Sequence, residues 1–345
     1  MIKKKEKRLI YKLLNFFYWL LMGAVGLLLL YLVAIVFWIA SFPIPSDSME
    51  PTLIAGDHIL VEKFTMGARL FDLKPAFNKE RFTIWRTPAL GEVKRNDIVV
   101  FNYPYPDKSD SIGFDVMLYY VKRCIALPGD TLEIRNSHYH VRGVDEPLGC
   151  VEAQEYMEQI FKQGRSREWN IYVPAYPYKK EIGWTVRHMG PYYIPKEGGS
   201  IGMNDRNFHL YKPVIEWEQQ QKLHRVNDST YTLGNQPITT YTFQKNYYFV
   251  SGDKMENSKD SRYWGVVPEE YIVGRVWGIW KSVDEWGEMR WERIGEIKSH
   301  PQSPQRLEEK RSSKSEVQGL RFKAPLVQGL CGTDGLCHPD GRKDL

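Results

Sequence analysis

One long stretch without a charged residue constrains this chain more than any other feature. It runs from Phe16 to Phe42 and contains 27 residues. As a helix it would be about 40 Å long, whereas the hydrocarbon core of a bilayer is about 30 Å thick. The alternatives are a buried core helix or a cleavable signal peptide, but the apolar part of a signal peptide has only ~7–15 residues. The stretch therefore predicts a permanent transmembrane anchor.

The charges that flank this stretch predict its orientation. The basic residues that precede it are Lys3, Lys4, Lys5, Lys7, Arg8 and Lys12. After it, no Lys or Arg occurs before Lys63. Basic flanks stay in the cytoplasm, and Trp19 and Trp38 lie near the ends, where interfacial tryptophans are enriched. We therefore expect a cytoplasmic N-terminus and an extracytoplasmic domain after Phe42.

The rest of the chain has the composition of a folded β protein. It is 43% hydrophobic overall, with 11 Trp and 21 Tyr, which is enough for a packed core. Short runs rich in Val, Ile, Leu and Tyr alternate with Gly, Pro and Asp, which predicts strands. The predicted strands are His58–Phe64, Asp97–Tyr103, Met117–Ala126, Thr131–Arg135, Tyr247–Ser251 and Tyr271–Lys281. The net charge is +5, and no basic stripe with stacking aromatics follows residue 12, which argues against a nucleic-acid partner.

These patterns divide the chain into five parts. Residues 1–15 form a basic cytoplasmic N-terminus and 16–42 the anchor, while 43–135 and 246–299 together form the main β domain. Residues 136–245 are rich in Tyr and Pro and form a β-rich insertion or subdomain, with one helix expected around Val151–Gln163. Residues 300–345 are polar, and we expect a disordered tail there.

Neither the cysteines nor the histidines indicate a metal site or a cofactor. The spacing of Cys124, Cys150, Cys331 and Cys337 fits no zinc pattern. Cys124 lies in an apolar run and is expected to be buried, while Cys331 and Cys337 could form a disulfide in an oxidising compartment. His138 and His140 could place two ligands on one strand face, but without a third ligand we interpret them as surface residues.

Three polar clusters could carry chemistry. The first, Phe42–Asp57, places Ser48 between Pro45 and Pro51, which restrict the backbone of a loop beside the membrane. Such a loop suits a nucleophile, although an ordinary connection from anchor to domain has the same composition.

The second cluster places Lys122 in a strand-like apolar run. Alternation puts Tyr120, Lys122 and Cys124 on one face of that strand and Val121 and Arg123 on the other. A desolvated lysine has a lowered pKa and can act as a general base. The alternative is a lysine that extends its ammonium into water.

The third cluster, Ser251–Gly265, is a dense polar loop that ends in aromatic residues. Asp260 and Arg262 could form an ion pair that braces it. A solvated turn is the alternative, but the pair Tyr263 and Trp264 indicates that part of the loop is buried.

Taken together and in this order, the clusters resemble the conserved boxes of bacterial type I signal peptidases. The matching segments are Ile44–Leu53, Gly56–Lys63, Asp97–Phe101, Tyr120–Asp130, Gly190–Pro195 and Asn257–Gly265. The resemblance covers roughly residues 42–130 and 247–281, together with the anchor. It implies a mainly β, antiparallel catalytic domain in the bacterial inner membrane, acting on exported preproteins.

The resemblance also implies residue roles. Ser48 would be the nucleophile and Lys122 its general base, with the Ser46 hydroxyl and the Ser48 N–H forming an oxyanion hole. Ser258 would hydrogen-bond the lysine amine, and Asp260 with Arg262 would be a supporting ion pair. Shallow substrate pockets for small residues would be lined by Phe42, Ile44, Pro45, Met49, Leu53, Ile59, Val100, Tyr120 and Val121.

One departure from the family pattern bears on the site. The family carries Gly-Asp-Asn-Arg where this chain has Gly252, Asp253, Lys254 and Met255. Lys254 brings a second amine to the site, and Met255 removes a guanidinium, so local bracing and specificity could differ.

Other functions remain as alternatives at this stage. A processing protease of the same fold with narrower substrates, such as one for pilus assembly, is the nearest. A self-cleaving repressor would need a DNA-binding domain and no anchor. An inactive membrane-tethered scaffold would not need both Ser48 and Lys122, and a Ser–His–Asp hydrolase would need a histidine in the clusters.

Overall fold

The computed structural model describes residues 2–78, 82–108, 110–227 and 229–297. The expected tail at 300–345, with Cys331 and Cys337, lies outside these residues. The helices are α1 (Ile2–Phe37), α2 (Leu73–Phe77), α3 (Val151–Lys162), α4 (Asp205–Gln219) and α5 (Ser261–Trp264), with short 3₁₀ turns at Met255–Asn257, Glu269–Tyr271 and Trp291–Arg293. The strands are β1 (Ile39–Pro43), β2 (Asp57–Glu62), β3 (Arg69–Leu70), β4 (Trp85–Arg86), β5 (Ile98–Asn102), β6 (Tyr119–Ala126), β7 (Thr131–Arg135), β8 (His138–Val141), β9 (Met189–Tyr193), β10 (Ser200–Gly202), β11 (Leu223–Arg225), β12 (Tyr231–Leu233), β13 (Gln236–Ile238), β14 (Thr240–Thr242), β15 (Tyr247–Ser251), β16 (Val267–Pro268), β17 (Ile272–Ser282) and β18 (Gly295–Glu296).

The N-terminal helix is long and apolar enough to cross a membrane. The candidate span within α1 is Arg8–Phe37, and none of its most apolar part is buried by the rest of the chain. The helix ends at Phe37, where the Lys63 ammonium donates to the carbonyl oxygens of Ile35 at 2.6 Å and Val36 at 3.2 Å. A cation at a helix C-terminus satisfies exposed carbonyl groups and complements the helix dipole.

The helix stops before the end of the uncharged stretch. Residues 39–42 of that stretch belong to β1, which pairs antiparallel with β2 from Ile39↔Glu62 to Pro43↔His58. The apolar composition alone would allow the helix to continue. It ends at Phe37 because pairing with β2 and the bonds from Lys63 to the last carbonyl groups stabilise a helix end and a strand there.

One antiparallel sheet forms the centre of the extramembrane part. Its strand order is β1-β2-β17-β5-β6-β15-β16, with β18 on β17. All six predicted strands are present, five in this sheet and β7 in a smaller sheet with β8 and β9, with ends within two residues of those expected. The sheet curls, so that the rings of Phe42 in β1 and Tyr119 in β6 lie 5.0 Å apart although three strands lie between β1 and β6 in pairing order. The expectation of a mainly β, antiparallel fold is confirmed.

The two faces of the sheet bury different apolar clusters. In β5, Val99 and Phe101 join the larger cluster, while Ile98 and Val100 join the smaller one. The larger cluster also contains Cys124, which is fully buried as expected, and residues of the insertion such as Tyr192 and Leu210. The insertion thus shares one core with the sheet, because it covers a face that would otherwise expose apolar side chains.

The insertion contains more helix than its sequence indicated. The helix expected around Val151–Gln163 is α3. A second helix, α4, was not predicted, because Pro213 in its interior lacks an N–H and normally ends a helix. The N-cap residue of α4 is Asn204, whose side chain accepts from the Asn207 N–H at 2.8 Å. The boundary at 135 also divides a sheet, since β7 pairs with β8 and β9 of the insertion.

Candidate functional site

Ser48 and Lys122 are in direct contact. Lys122 lies on β6, between β5 and β15, and its side chain is almost completely buried at 4% exposure. Its Nζ atom donates to Ser48 Oγ at 2.6 Å and to the carbonyl oxygen of Val121 at 3.1 Å. The two residues that the sequence paired from different segments are thus within hydrogen-bonding distance.

The loop that carries Ser48 is anchored on both sides. Met49 and Leu53 are buried beneath it, and the Leu53 N–H donates to the Met49 carbonyl oxygen at 2.9 Å. Gly56 follows at φ +89°, and a Cβ there would lie 2.0 Å from the Val283 carbonyl oxygen, so only glycine fits. The fully buried Asp57 accepts from the Ile54 N–H at 2.9 Å and from Ser282 Oγ at 2.7 Å. These contacts hold the serine rigidly at the sheet.

The environment of Lys122 favours its neutral form. Burial lowers the pKa of Lys122 from an ordinary 10.5 to about 8, although the carboxylates of Asp260 and Asp253 act in the opposite direction. A lysine that loses its proton near neutral pH can accept one from a hydroxyl in contact with it. The geometry therefore permits Lys122 to activate Ser48 as a nucleophile.

The expected ion pair of the third cluster is present and completely buried. Arg262 Nη2 lies 2.8 Å from Asp260 Oδ2, and both side chains have 0% exposure. Arg262 Nη2 also donates to the Met255 carbonyl oxygen at 2.9 Å, and Asp260 accepts from the Gly252 N–H at 2.9 Å. Burial would raise the pKa of Asp260, but the Arg262 charge and its hydrogen bonds outweigh this and keep the pKa below its ordinary value.

Ser258 has a different partner from the one the resemblance implied. Its hydroxyl donates to Asp260 Oδ2 at 2.8 Å, and within the described part of the chain the structure shows no hydrogen bond from it to the Lys122 amine. Asp260 is ionised and lies two residues away, which makes it a strong acceptor for this hydroxyl.

A second buried ion pair was missed by the sequence argument. Arg123 donates to Asp253 through Nε at 2.7 Å and through Nη2 at 2.5 Å. The side chains are only 5% and 1% exposed, and Thr52 Oγ1 also donates to Asp253 at 2.6 Å. The available signal was a second basic residue next to Lys122 in an apolar strand, since a buried charge needs a partner.

Lys254, the departure from the family pattern, contacts the serine loop directly. Its ammonium lies 2.5 Å from Asp47 Oδ2 and 2.9 Å from Glu50 Oε2. Met255 is buried at 1% exposure, where a guanidinium would need a partner.

The residues expected to line substrate pockets differ widely in exposure. Phe42, Tyr120 and Val121 are half-buried and Pro45 is exposed, as is Ser46. The deeply buried members are Ile44, Met49, Leu53, Ile59 and Val100, which belong to the smaller apolar cluster. Tyr120 lies with the larger cluster, where its ring stacks on Tyr103 at 4.7 Å. Of the residues expected to line pockets, those that offer surface are therefore Phe42, Pro45, Tyr120 and Val121.

No metal-binding cluster is found among the described residues, where no three His, Cys, Asp or Glu side chains converge. His138 and His140 both lie on β8, half-buried and exposed respectively, and His138 Nδ1 is 3.0 Å from the Asn136 carbonyl oxygen.

Comparison with known proteins identifies the family of this chain. The family model described as "Signal peptidase, peptidase S26" matches residues 17–281. Signal peptidase I of Buchnera aphidicola subsp. Acyrthosiphon pisum is 32% identical over 74% of this chain and 74% of its own length. Signal peptidase I of Pseudomonas aeruginosa is 28% identical over 71% and 66%. A solved signal peptidase I from Enterococcus faecalis V583 overlaps 54% of this chain and 98% of its own, at 19% identity and a TM-score of 0.21.

The matched region contains the end of α1, the Ser48 loop, β6 and the polar loop after β15. Both the extent of the family match and the identity to the Buchnera protein are sufficient to assign the chain. It belongs to the signal peptidase family, peptidase S26.

Proposed function

We propose that this protein is a type I signal peptidase, a serine endopeptidase that removes signal peptides from exported preproteins. The observation that carries the proposal is the 2.6 Å contact between Ser48 Oγ and the buried amine of Lys122. A serine hydroxyl is a poor nucleophile until a neighbouring base takes its proton. Lys122, with a pKa of about 8, can serve as that base near neutral pH.

The reaction would proceed through an acyl-enzyme. Neutral Lys122 takes the proton of Ser48 as Oγ attacks the scissile carbonyl carbon, and the resulting ammonium gives a proton to the leaving amine. Water, deprotonated by Lys122, then releases the acyl group and regenerates Ser48. The exposed Ser46 hydroxyl and the Ser48 N–H would stabilise the oxyanion, a contribution of about 3–4 kcal/mol per donor in other serine hydrolases.

The substrate would bind as an extended strand beside β6. In β6, pairing with β15 begins at Arg123, whereas pairing with β5 covers Tyr119–Arg123. A substrate segment could therefore lie along the start of β6, close to Phe42 of β1. Because the neighbouring Phe42, Val121 and Tyr120 are bulky, only small residues such as Ala, Gly or Ser would fit before the cut and two positions earlier.

The anchor would hold this site at a bacterial inner membrane. Helix α1 would pass through the lipid with its basic end in the cytoplasm and the sheet on the other side. The Ser48 loop is separated from the helix end by β1 alone. It would lie near the bilayer surface, where the apolar segment of a signal peptide ends.

The decisive experiment is cleavage of a preprotein with an Ala-x-Ala site by the detergent-solubilised protein. Ser48→Ala and Lys122→Ala should each abolish cleavage while the fold is retained, because the nucleophile and base depend on each other. The products are quantified by gel and mass spectrometry, and circular dichroism checks the fold.

A matched substrate tests the specificity. Replacing the Ala before the cut by Phe should suppress cleavage by orders of magnitude. Near-normal turnover by Ser48→Ala or by Lys122→Ala would refute the assignment of Ser48 and Lys122 as nucleophile and base. Equal cleavage of the Ala and Phe substrates would indicate a general membrane protease. Cleavage of only a few preproteins would favour a processing protease with narrower substrates. No cleavage by the wild type would favour an inactive membrane-tethered scaffold.

A further inference from the structure

Two carboxylates flank the proposed nucleophile in this chain. Asp47 directly precedes Ser48, and Glu50 follows it by two residues. Both are half-buried, and both point toward the loop that follows β15, where Lys254 contacts each of them at 2.5 Å and 2.9 Å. One ammonium thus bridges the two sides of the serine turn.

Backbone contacts bring this loop against the turn. The Lys254 N–H donates to the Ser48 carbonyl oxygen at 3.1 Å. A Cβ at Gly252 would lie 2.5 Å from that same oxygen, so the approach requires glycine. Asn257 Nδ2 adds bonds to both carboxylate oxygens of Asp47, at 3.1 and 3.0 Å. The position of Ser48 is therefore coupled to the loop that carries Lys254.

The charge of Asp47 in this contact acts on the pKa of Lys122. Asp260, Asp253 and Asp47 favour the ammonium form of Lys122, while Arg262 opposes it. Burial would raise the pKa of Asp47, but hydrogen bonds from Lys254 and Asn257 outweigh this and keep it ionised. Burial would likewise lower the pKa of Lys254, but its bonds to Asp47 and Glu50 raise it, so Lys254 stays charged.

We propose that Lys254 is a positioning residue for the peptidase reaction, which holds Asp47 and Glu50 on either side of Ser48 and offsets their charge. This inference rests on the proposed function. It gives the departure from the family pattern a role, because a chain with two carboxylates in the serine turn needs a cation facing them. Lys254 contacts neither Ser48 Oγ nor Lys122 and acts through Asp47 and Glu50.

The test replaces Lys254 by Met, which keeps the length of the side chain and removes its charge. Cleavage of the Ala-x-Ala preprotein by the full chain should show kcat reduced by roughly 10- to 100-fold with little change in KM, because a small displacement of a reacting group has this effect. The rise of rate with pH should also move upward by about half a unit, less than the shift of about 1–3 units from a charge in direct contact. Lys254→Arg should restore most of kcat.

Two further variants complete the experiment. Lys245→Met removes a similarly half-buried ammonium, paired with Glu270 near the far end of β15, and should leave kcat and the pH profile unchanged. The triple variant Asp47→Asn, Glu50→Gln, Lys254→Met has no charge at the contact, where the wild type has a net charge of −1, so its rise of rate with pH should lie at or slightly below the pH of the wild-type rise.

The outcomes separate this inference from the proposed function. Wild-type kcat and pH profile in Lys254→Met would overturn the inference, while Ser48→Ala would still decide the function. If Lys254→Met fails to fold, the triple variant decides, and a rise of rate displaced to higher pH than in the wild type would overturn the proposed charge compensation. Activity in Ser48→Ala would instead remove the proposed function itself.

Discussion

At Lys122, burial and charge act on one ammonium in opposite directions. Burial removes water and disfavours the charged form, while the carboxylates of Asp260 and Asp253 favour it, with Arg262 limiting their effect. Burial prevails, and the pKa falls to about 8. A lysine near these carboxylates can therefore still serve as a base, because each of them is paired with an arginine, Asp253 with Arg123 and Asp260 with Arg262.

The pH dependence of cleavage should report this balance. Below pH 8 Lys122 is mostly an ammonium that cannot accept a proton, so kcat/KM should rise about tenfold per pH unit up to about pH 8 and then level off. The rate rises with pH because only the neutral form of Lys122 can accept a proton. The rise ends near pH 8 because burial lowers the pKa of Lys122 from the ordinary 10.5 to about 8. Initial rates between about pH 5 and pH 10 measure the profile. A flat profile over this range would argue against a lysine base.

At the scale of elements, the loop between β15 and β16 is organised by a single buried arginine. Arg262 binds the carbonyl oxygens of Met255 and Ser258 at 2.9 and 3.4 Å and pairs with Asp260. The Asp260 carboxylate in turn binds the Gly252 N–H. The pair therefore connects the beginning of the loop with its end, beside the Ser48 turn.

Asp260→Asn should destabilise the protein strongly. The amide has the shape of the carboxylate but no charge, so Arg262 would stay fully buried without a counterion, at a cost of about 3–5 kcal/mol. The free energy of unfolding by denaturant, in detergent, measures the loss. Because the Asp260 pKa is lowered, this stabilisation is present above pH 3.8 and is lost as the pH falls through the lower folded value.

A pair at the surface provides the control for this prediction. Arg165 and Glu168 lie 2.7 Å apart but are 48% and 63% exposed, so Glu168→Gln should hardly change stability. If Asp260→Asn were as stable as Glu168→Gln, the buried pair would not be the brace that its contacts indicate.

At the scale of the whole molecule, the N-terminal helix α1 and the curled sheet meet at one junction. Helix α1 ends at Phe37 and β1 begins two residues later, so the first strand of the sheet continues directly from the apolar segment. Lys63, at the far end of β2, caps the helix. The sheet cannot move far from the helix end, and the Ser48 loop stays close to it.

This junction predicts that cleavage depends on sharing a membrane with the substrate. The full chain and an Ala-x-Ala preprotein reconstituted into the same vesicles should react about a hundredfold faster or more than when placed in separate vesicles, because tethering raises effective concentration. The rate of product formation measures the effect. A short soluble peptide without the apolar segment should be cleaved at the same rate by both vesicle preparations. Equal preprotein rates would contradict a role for the anchor in bringing the partners together.

The sequence by itself determined the features that neighbouring residues encode. The uncharged stretch predicted α1, and alternating apolar runs predicted six strands, five of them in the central sheet, to within two residues. The motif order predicted the family, which the comparisons confirmed. Periodicity, charge and turn residues act over a few positions, so they can be read without knowing the fold.

Only the tertiary structure decided how distant segments meet. It brought Lys122 to Ser48 across 74 positions, and Lys254 to Asp47 across 207. In the structure the Ser258 hydroxyl donates to Asp260, and the end of the apolar stretch forms β1 instead of helix. The insertion packs into the same apolar core as the sheet. The physical reason is that burial, hydrogen-bond partners and charge compensation depend on which surfaces pack together, and local sequence carries no record of that choice.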